Sequence, residues 1–306
     1  MKRELISIII PTYNRSKFIK NAVHSVLNQT YKDIEIIIVD DCSTDATESI
    51  IAFIGDERLK YIKNSKNTGV AFSRNIGIKN SKGSYISFID DDDEWMPEKL
   101  EKQISRFKEL TDDYGVVYCG YGIYNKSGVL NGEKHPEFKG SVAKKMLAGS
   151  IMGGSTPLLR KRVFDVCGLH DTSLKNAVDW EMWIRVSQSF KFDFVDEVLV
   201  KYNIHGNQLS VDIKNKIRAL NIIKEKHKYI IKQNNEEFSM LKKLFKLNLA
   251  IKQNKHAYYL LKKAYRINRK DINTILQIFM IITAPELIRY IIYQKSFYRS
   301  GKITLY

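Results

Sequence analysis

The sequence has few cysteines, and their arrangement excludes a disulfide-stabilised fold. Among 306 residues there are three, Cys42, Cys119 and Cys167, which are far apart and odd in number. Their spacing matches no zinc-binding pattern, and such isolated cysteines are typical of a reducing compartment. With 44% hydrophobic residues, the chain can instead bury a sizeable core, so we expect one large domain plus an appendage in a cytoplasmic protein.

The chain also has no long apolar run. LISIII, residues 5–10, follows two basic residues but stops at Pro11, which is too short for a signal-peptide core and better fits a first buried strand. The segment INTILQIFMIITAP, residues 272–285, has 14 residues without charge. Because a helix needs about 20 apolar residues to span a bilayer, we expect this segment to be buried or interfacial.

Acidic residues are scarce in the C-terminal third only. Residues 1–205 contain 29 basic and 28 acidic side chains, whereas residues 206–306 contain 21 and 6. Of the formal net charge of +16, the C-terminal third therefore carries +15 and the first 205 residues carry +1. A protein that acts on nucleic acid more often spreads basic residues around its cleft. We expect no nucleic-acid partner, although the total charge keeps a basic nucleic-acid-binding protein as an alternative.

Glycine-rich phosphate loops are missing as well. The sequence has no P-loop and no G-x-G-x-x-G after a strand. Phosphate binding would then need a divalent cation that bridges carboxylates to phosphates. Mg²⁺ and Mn²⁺ take oxygen ligands and typically use one or two protein carboxylates together with substrate phosphates.

Apolar runs and helical patterns alternate through the first 122 residues. Unbroken β-branched runs between helices indicate an α/β protein with a mainly parallel sheet covered on both faces. We expect Ser16 to cap the first helix and Ser43 or Thr44 the second. The predicted strands are residues 5–10, 34–40, 59–64, 84–90 and 115–124, and the predicted helices are residues 16–29, 43–54, 70–81, 97–110 and 179–190.

Two predicted strands end directly in acidic residues. Asp40–Asp41 follow the second strand and Asp90–Asp93 the fourth, at the edge where such sheets bind ligands. In an extended segment Asp90 and Asp92 point to one side and Asp91 and Asp93 to the other. A solvated acidic turn before the helix at Pro97 would account for one or two aspartates. Four of them, with a second acidic strand end, favour a metal site.

Five blocks in this order resemble the family 2 inverting glycosyltransferases with the GT-A fold. The resemblance covers residues 5–210. The blocks are PTYNR (11–15), VDDCSTD (39–45), NTGVAFSRNIGI (67–78), FIDDDDEW (88–95) and VDWEMWIR (178–185).

The resemblance implies a domain organisation. The expected fold is GT-A, a Rossmann-like mainly parallel sheet flanked by helices, in a catalytic domain of residues 1–211. Residues 1–122 would form its nucleotide-binding half and residues 123–211 its acceptor-side half. Residues 212–306 are not covered by the resemblance. Their Lys-rich helical pattern predicts a basic α-helical extension, which either docks on an anionic membrane surface or is an ordinary appendage with a solvated lysine face.

The resemblance also implies the donor and metal residues. Asp92 would be the principal ligand of Mn²⁺ or Mg²⁺, with Asp90 beside it and His205 as a further ligand or a structural residue. Arg74 would lie by the donor or serve as an ion-pair partner, and Asp41 or Asp45 would cap a turn. The residues expected to bind the nucleotide sugar are Pro11, Thr12, Tyr13, Asp40, Arg74, Asp90 and Asp91.

Asp179 is implied as the catalytic base that takes the proton of the acceptor hydroxyl. An aspartate before a helix also fits an N-cap. Val178 stands where the family pattern has an acid. Trp180 and Glu181 are candidates for the acceptor side, and Trp180 could equally belong to the core.

The implied activity is that of a metal-dependent inverting glycosyltransferase of hexosyltransferase type. The donor would be a nucleotide sugar, a UDP-sugar by expectation, and the acceptor a glycan or lipid-linked glycan in surface polysaccharide or lipopolysaccharide synthesis. The protein would be cytoplasmic, with peripheral association at the inner face of the cytoplasmic membrane. The alternative enzyme is a sugar-phosphate nucleotidyltransferase, which shares acidic metal sites at strand ends. A further alternative is a sugar-nucleotide-binding module without catalytic activity.

Overall fold

The computed structural model describes residues 4–205 and 212–300, with side chains as far as residue 292. These residues form two compact units. The first comprises residues 4–146 and 150–205, and the second comprises residues 147–149 and 212–300. The functional division into a nucleotide half and an acceptor half stays a prediction.

The first unit is built on one sheet. Its strand order is β3-β2-β1-β4-β8-β6-β9-β5, and β7 pairs with β6 beside this path. The strands are β1 (Ile6–Thr12), β2 (Ile34–Asp40), β3 (Leu59–Lys63), β4 (Tyr85–Phe88), β5 (Glu94–Trp95), β6 (Tyr114–Tyr124), β7 (Leu130–Lys134), β8 (Leu158–Arg160) and β9 (Lys191–Asn203). The helices are α1 (Ile19–Leu27), α2 (Thr47–Ile54), α3 (Val70–Asn80), α4 (Lys99–Lys108), α5 (Ala143–Ala148), α6 (Arg162–Cys167) and α7 (Val178–Ser189).

The N-terminal half of the sheet is parallel, as its sequence predicts. β1 pairs in parallel with β2 and β4, with Ile6 opposite Ile34 on one side and Tyr85 on the other. Every residue of β1 is buried. An unbroken apolar run fits this position, because a central parallel strand is covered by helices on both faces.

The C-terminal half of the sheet is mixed. β8 runs antiparallel between β4 and β6, whereas the long β9 runs parallel to β6. The prediction of a mainly parallel sheet therefore holds for β1 to β4 and for the β6–β9 pair, whereas β5, β7 and β8 are antiparallel to their neighbours. β8 has three residues and β9 carries acidic residues along its length, so neither produces the long apolar run by which the other strands are recognised.

The first two helices begin later than the sequence predicts, and the proposed caps are wrong. α1 begins at Ile19, and the backbone N–H of Ser16 donates to Asp45 Oδ2 at 3.0 Å. α2 begins at Thr47, and Ser43 Oγ accepts from the N–H of Asn14 at 2.8 Å. These polar groups join the loop after β1 to the loop after β2, so they are not available to the helix termini.

The second unit is helical. In α11, Ala257, Leu260, Leu261 and Ala264 are buried at the spacing of one face of a helix. In the parts of the chain that the structure describes, no helix is long and apolar enough to cross a membrane. The helices are α8 (Ile213–Lys226), α9 (Lys228–Gln233), α10 (Glu237–Ala250), α11 (Asn254–Ile267), α12 (Ile272–Thr283) and α13 (Pro285–Ser300).

Candidate active site

The site lies at the carboxyl ends of β1, β2 and β4. Thr12 stands opposite Asp40 in the β1–β2 register, and the backbone N–H of Asp41 donates to the Thr12 carbonyl at 2.8 Å. Asp90 follows β4, which pairs with the other side of β1. The two acidic strand ends are therefore brought to the same edge of the sheet, as parallel pairing requires.

The four aspartates do not continue the strand. β4 ends at Phe88, and the backbone N–H of Asp93 donates to the Asp90 carbonyl at 3.0 Å, which closes a turn. Carboxylate oxygens of Asp90, Asp92 and Asp93 lie within 4.8 Å of one another. The expected grouping of Asp91 with Asp93 is wrong, because the turn replaces the alternation of an extended segment. Asp91 Oδ1 instead lies 3.4 Å from the Nε of Arg15.

Ser155 and Asn203 hold this turn in place. Ser155 Oγ donates to Asp93 Oδ2 at 2.6 Å and accepts from the N–H of Asp90 at 3.0 Å. Asn203 Nδ2 donates to the Asp92 carbonyl at 2.8 Å. Sequence reasoning missed both residues and did not assign Asp93 to the cluster. The G-G-S-T stretch before β8 is the one signal that points to Ser155, since it marks a close turn at this edge.

Burial and mutual repulsion raise the pKa values of these carboxyl groups. Burial is the first cause for Asp92 and Asp93, and for both the charge of Asp90 adds to it. Burial and the charge of Asp92 raise the pKa of Asp91 to about 8. A cation among Asp90, Asp92 and Asp93 would relieve this repulsion. The all-oxygen carboxylate set fits Mg²⁺ or Mn²⁺.

His205 lies at this cluster, 113 positions after Asp92. Its Nε2 is 2.7 Å from Asp92 Oδ2, and its ring stacks on Phe18 with centroids 4.6 Å apart. The contact with Phe18 fixes the plane of the imidazole, and the hydrogen bond directs one nitrogen to the carboxylate. An imidazole in this position could complete an oxygen and nitrogen ligand set.

Arg74 connects the cluster to Asp179. Its guanidinium donates to Asp90 Oδ1 at 2.8 Å and to Asp179 Oδ1 at 2.5 Å. Burial alone would lower the pKa of Arg74, but the charges of Asp179 and Asp90 raise it above the ordinary value. Arg74 lies on α3, where the side-chain amide of Asn75 bonds both the N–H and the carbonyl of His170 at 2.9 Å. This pairing fixes α3 beside the loop that precedes α7.

Asp179 stands in the first turn of α7. The residue at the N-cap is Ala177, in the left-handed region at φ 54°, and no side chain caps this helix. The alternative role of Asp179 as an N-cap is therefore wrong. Burial raises the pKa of the Asp179 carboxyl, and the charge of Arg74 offsets part of this rise. A β-carbon on Gly154 would lie 3.1 Å from Asp179 Oδ2 and 3.4 Å from Asp90 Oδ2, so the glycine keeps the space between the two carboxylates open.

The two proposed acceptor-side residues face the interior. Trp180 is buried and its Nε1 donates to the Met146 carbonyl at 2.6 Å. Glu181 is completely buried and pairs with Arg185, whose Nη2 also donates to the Leu169 carbonyl at 2.8 Å. Both side chains are therefore buried in contacts that hold α7 in place. Contact of either residue with an acceptor stays an untested prediction.

The proposed donor residues flank the turn. Pro11 and Thr12 are buried at the end of β1, and Tyr13 is 44% exposed. Asp40 is completely buried, and its oxygens accept from the Ser43 N–H at 2.7 Å and the Tyr61 hydroxyl at 2.6 Å. If the base of a nucleotide formed a hydrogen bond with Asp40, it would share the carboxylate with the Ser43 N–H and the Tyr61 hydroxyl.

Asp41 has a different function from Asp40. Its carboxylate accepts from the backbone N–H groups of Thr68 and Gly69 at 3.0 and 2.6 Å. It therefore holds the loop that leads into α3, and α3 carries Arg74. This agrees with the turn-capping role expected for Asp41.

Comparison with known proteins supplies the family. Residues 7–167, more than half of the chain, match the model of glycosyl transferase family 2. A segment of 227 residues is 37% identical to the UDP-Glc:α-D-GlcNAc-diphosphoundecaprenol β-1,3-glucosyltransferase WfaP of Escherichia coli, covering 72% of this chain and 86% of the relative. An uncharacterized glycosyltransferase of Rickettsia prowazekii is also 37% identical over 209 residues, covering 67% of this chain and 65% of the relative. The chain thus spans less than two thirds of the Rickettsia relative.

Among solved structures, residues 1–349 of Staphylococcus aureus TarS in complex with UDP-GlcNAc superimpose with a TM-score of 0.68 at 18% identity, over 97% of this chain and 92% of that one. At this identity the likeness establishes the fold. It confirms the GT-A fold with its helical C-terminal region. The fold, the matched family model and the E. coli relative agree, and the chain belongs to glycosyl transferase family 2.

Proposed function

We propose that this glycosyltransferase is metal-dependent and inverting, and that it transfers a hexosyl group from a UDP-sugar to a hydroxyl of a glycan or lipid-linked acceptor. One observation carries the proposal: a single buried guanidinium, that of Arg74, joins Asp179 to the three-carboxylate cluster. A candidate base and a candidate cation site are therefore held at a fixed separation on one edge of the sheet.

Asp90, Asp92 and Asp93 would hold Mn²⁺ or Mg²⁺, with His205 beside Asp92. When bound, such an ion neutralises the negative charge of a diphosphate leaving group. Around it, Pro11, Thr12 and Tyr13 at the end of β1 would contact the nucleotide. Asp40, Asp91 and Arg74 complete the proposed donor side.

Asp179 would act as the general base. Arg74 holds its Oδ1, and Oδ2 faces the space beside Gly154. This oxygen would accept the proton of the acceptor hydroxyl while the hydroxyl oxygen forms its bond to the anomeric carbon. The bond from that carbon to the diphosphate oxygen breaks on the opposite face. A single displacement of this kind inverts the anomeric configuration.

The relatives support the substrate class. The E. coli relative is named for UDP-Glc and a diphosphoundecaprenol acceptor, and a relative from Bacillus subtilis, 29% identical, for teichuronic acid biosynthesis. These names favour a UDP-sugar donor and a lipid-linked acceptor in surface polysaccharide synthesis. We extend the proposal to lipopolysaccharide synthesis and to the inner face of the cytoplasmic membrane, where a lipid-linked acceptor would meet a nucleotide sugar. A structural neighbour from Pyrobaculum calidifontis, with a TM-score of 0.61, holds GDP-Man and Mn²⁺, so GDP-sugars belong in the test.

The test is a panel of UDP- and GDP-sugars with a lipid-diphosphate-linked sugar as acceptor, in Mn²⁺, Mg²⁺ or chelator. We expect release of a nucleoside diphosphate in the presence of a cation, and a product of inverted configuration by NMR. Turnover in chelator would refute the cation site, and retained configuration would refute the single displacement. Pyrophosphate formed from a nucleoside triphosphate and a sugar phosphate would identify a nucleotidyltransferase instead.

Asp179→Asn tests the base separately. We expect turnover to fall by roughly 10²- to 10⁴-fold, with the affinity for nucleoside diphosphate unchanged. Asp165→Asn is a matched control, because Asp165 is also an acid in the first turn of a helix and lies on α6. Turnover by Asp179→Asn at the level of this control would refute the assignment.

A further inference from the structure

α12 exposes a continuous apolar face. The five side chains of this face are 44% to 69% exposed. They recur at the spacing of one side of a helix and leave a surface without charge. They are Ile272, Ile275, Leu276, Phe279 and Ile282.

The opposite side of α12 is held by hydrogen bonds from Lys242. Thr274 is completely buried, and Lys242 Nζ donates to its Oγ1 at 2.9 Å. The same ammonium donates to Gln277 Oε1. The inward side of the helix therefore combines these hydrogen-bonded polar groups with the buried Ile281, while the five apolar side chains face outward. Rotation that buried the apolar face would break the hydrogen bonds of Lys242.

Cationic residues immediately precede this helix in the sequence. Residues 252–271 contain seven lysines and arginines and one acidic residue. Arg266, Arg269 and Lys270 are exposed in the turn of α11 and the loop that lead directly to Ile272. Apolar side chains next to an excess of Lys and Arg are the pattern of a helix that lies in the interface of an anionic bilayer.

We propose that the exposed face of α12, with Arg266, Arg269 and Lys270, docks on an anionic lipid bilayer. α12 has 12 residues, whereas a span needs about 20, so the helix would lie in the plane of the interface. Charge favours a lipid bilayer over a second copy of the chain as the partner of this face. A symmetric pair of chains would bring two sets of cations together, whereas anionic headgroups neutralise them. The inference is independent of the donor chemistry and sharpens the expected membrane surface of residues 212–306 to one helix.

The experiment is co-sedimentation of the full chain with phosphatidylcholine vesicles, with and without phosphatidylglycerol. We expect binding to the anionic vesicles only. Phe279→Ser combined with Ile282→Ser should weaken it by roughly tenfold or more. Arg269→Glu combined with Lys270→Glu should weaken it at low salt and have less effect at high salt. Phe53→Ser is the matched control, because Phe53 is an 88% exposed apolar side chain in the first unit.

A second measurement does not depend on loss of binding. Tryptophan introduced as Phe279→Trp should be quenched by vesicles with brominated acyl chains, and introduced as Phe53→Trp it should not. Equal vesicle binding by the serine pair and wild type, or absence of quenching at position 279, would overturn the proposal. Light scattering in which the serine pair converts a dimer to a monomer would assign the face to a second copy and would also overturn it.

Discussion

Arg74 Nη1 lies 2.5 Å from Asp179 Oδ1, although the two residues are 105 positions apart. The same guanidinium donates to Asp90, so it touches both the proposed base and the carboxylate cluster. Arginine keeps its charge at every accessible pH and presents a planar set of donors. It can therefore hold two carboxylates at a fixed distance, which a lysine ammonium on a flexible stem cannot do equally well.

Substitution of Arg74 should affect stability and turnover together. Arg74→Ala leaves two partly buried carboxylates without their cation, and we expect a loss of roughly 2–3 kcal/mol in the free energy of unfolding. This is less than for a fully buried pair, because the side chains of Asp90 and Asp179 are 36% and 27% exposed. Arg74→Lys should recover part of the stability and little of the turnover. Urea unfolding and steady-state kinetics measure the two effects.

Arg58→Ala is the control for this prediction. Arg58 pairs with Asp56 at 2.9 Å, but the Arg58 side chain is 27% exposed whereas that of Arg74 is 3% exposed. We therefore expect a smaller loss of about 1 kcal/mol, because solvent screens the pair. Full turnover by Arg74→Lys would show that charge alone is required at this position.

The turn formed by Asp90–Asp93 predicts that Asp93 contributes to cation binding and that its near neighbour Asp91 does not. Asp93→Asn removes a carboxylate from the cluster, whereas Asp91→Asn changes a residue that faces Arg15. We expect the affinity for Mn²⁺ to fall by roughly tenfold or more for Asp93→Asn and to change little for Asp91→Asn. Paramagnetic resonance of free Mn²⁺ measures this without any turnover. Equal losses for the two variants would contradict the grouping.

The sequence predicts the part of the site that local patterns specify. Runs of β-branched residues reveal β1, β2 and β4, and acids after these runs reveal Asp40 and Asp90 at the ligand edge. The sequence does not assign Asp93 to the cluster, because its place depends on a turn held by Ser155, in the stretch before β8, and Asn203, at the end of β9. Contacts over such separations leave no periodic signal in a single sequence. The two helix caps failed for the same reason, since loop-to-loop hydrogen bonds displaced the local ones.

Lys99 should make stability depend on pH. It is completely buried, its Nζ lies 3.8 Å from the centroid of the Trp95 ring, and burial lowers its pKa to about 8 from 10.5. Between these values the unfolded chain binds more protons than the folded one, so stability rises with pH through this window. Relative to Lys99→Met, wild type should gain at most about 1.4 kcal/mol per pH unit from about pH 8 to pH 10. The other lysines are the same in both proteins, so their titration cancels in the difference between the two free energies of unfolding. Urea unfolding that shows a constant difference would contradict the assignment.

Gly77 should be required for the position of α3. A β-carbon at Gly77 would meet Ile9 Cγ2 of β1 at 2.4 Å, whereas one at Gly132 on β7 would have no atom within 4 Å. In a helix alanine is favoured over glycine by about 1 kcal/mol, so an increase in stability is expected if there is room for the methyl group. We expect instead that Gly77→Ala lowers the free energy of unfolding by roughly 1–3 kcal/mol, because α3 must move away from the sheet. Turnover should fall with it, since α3 carries Arg74 one turn earlier.

Gly132→Ala is the control and should stay within about 0.5 kcal/mol of wild type. Stabilisation by Gly77→Ala with full turnover would show that α3 can move without disturbing Arg74.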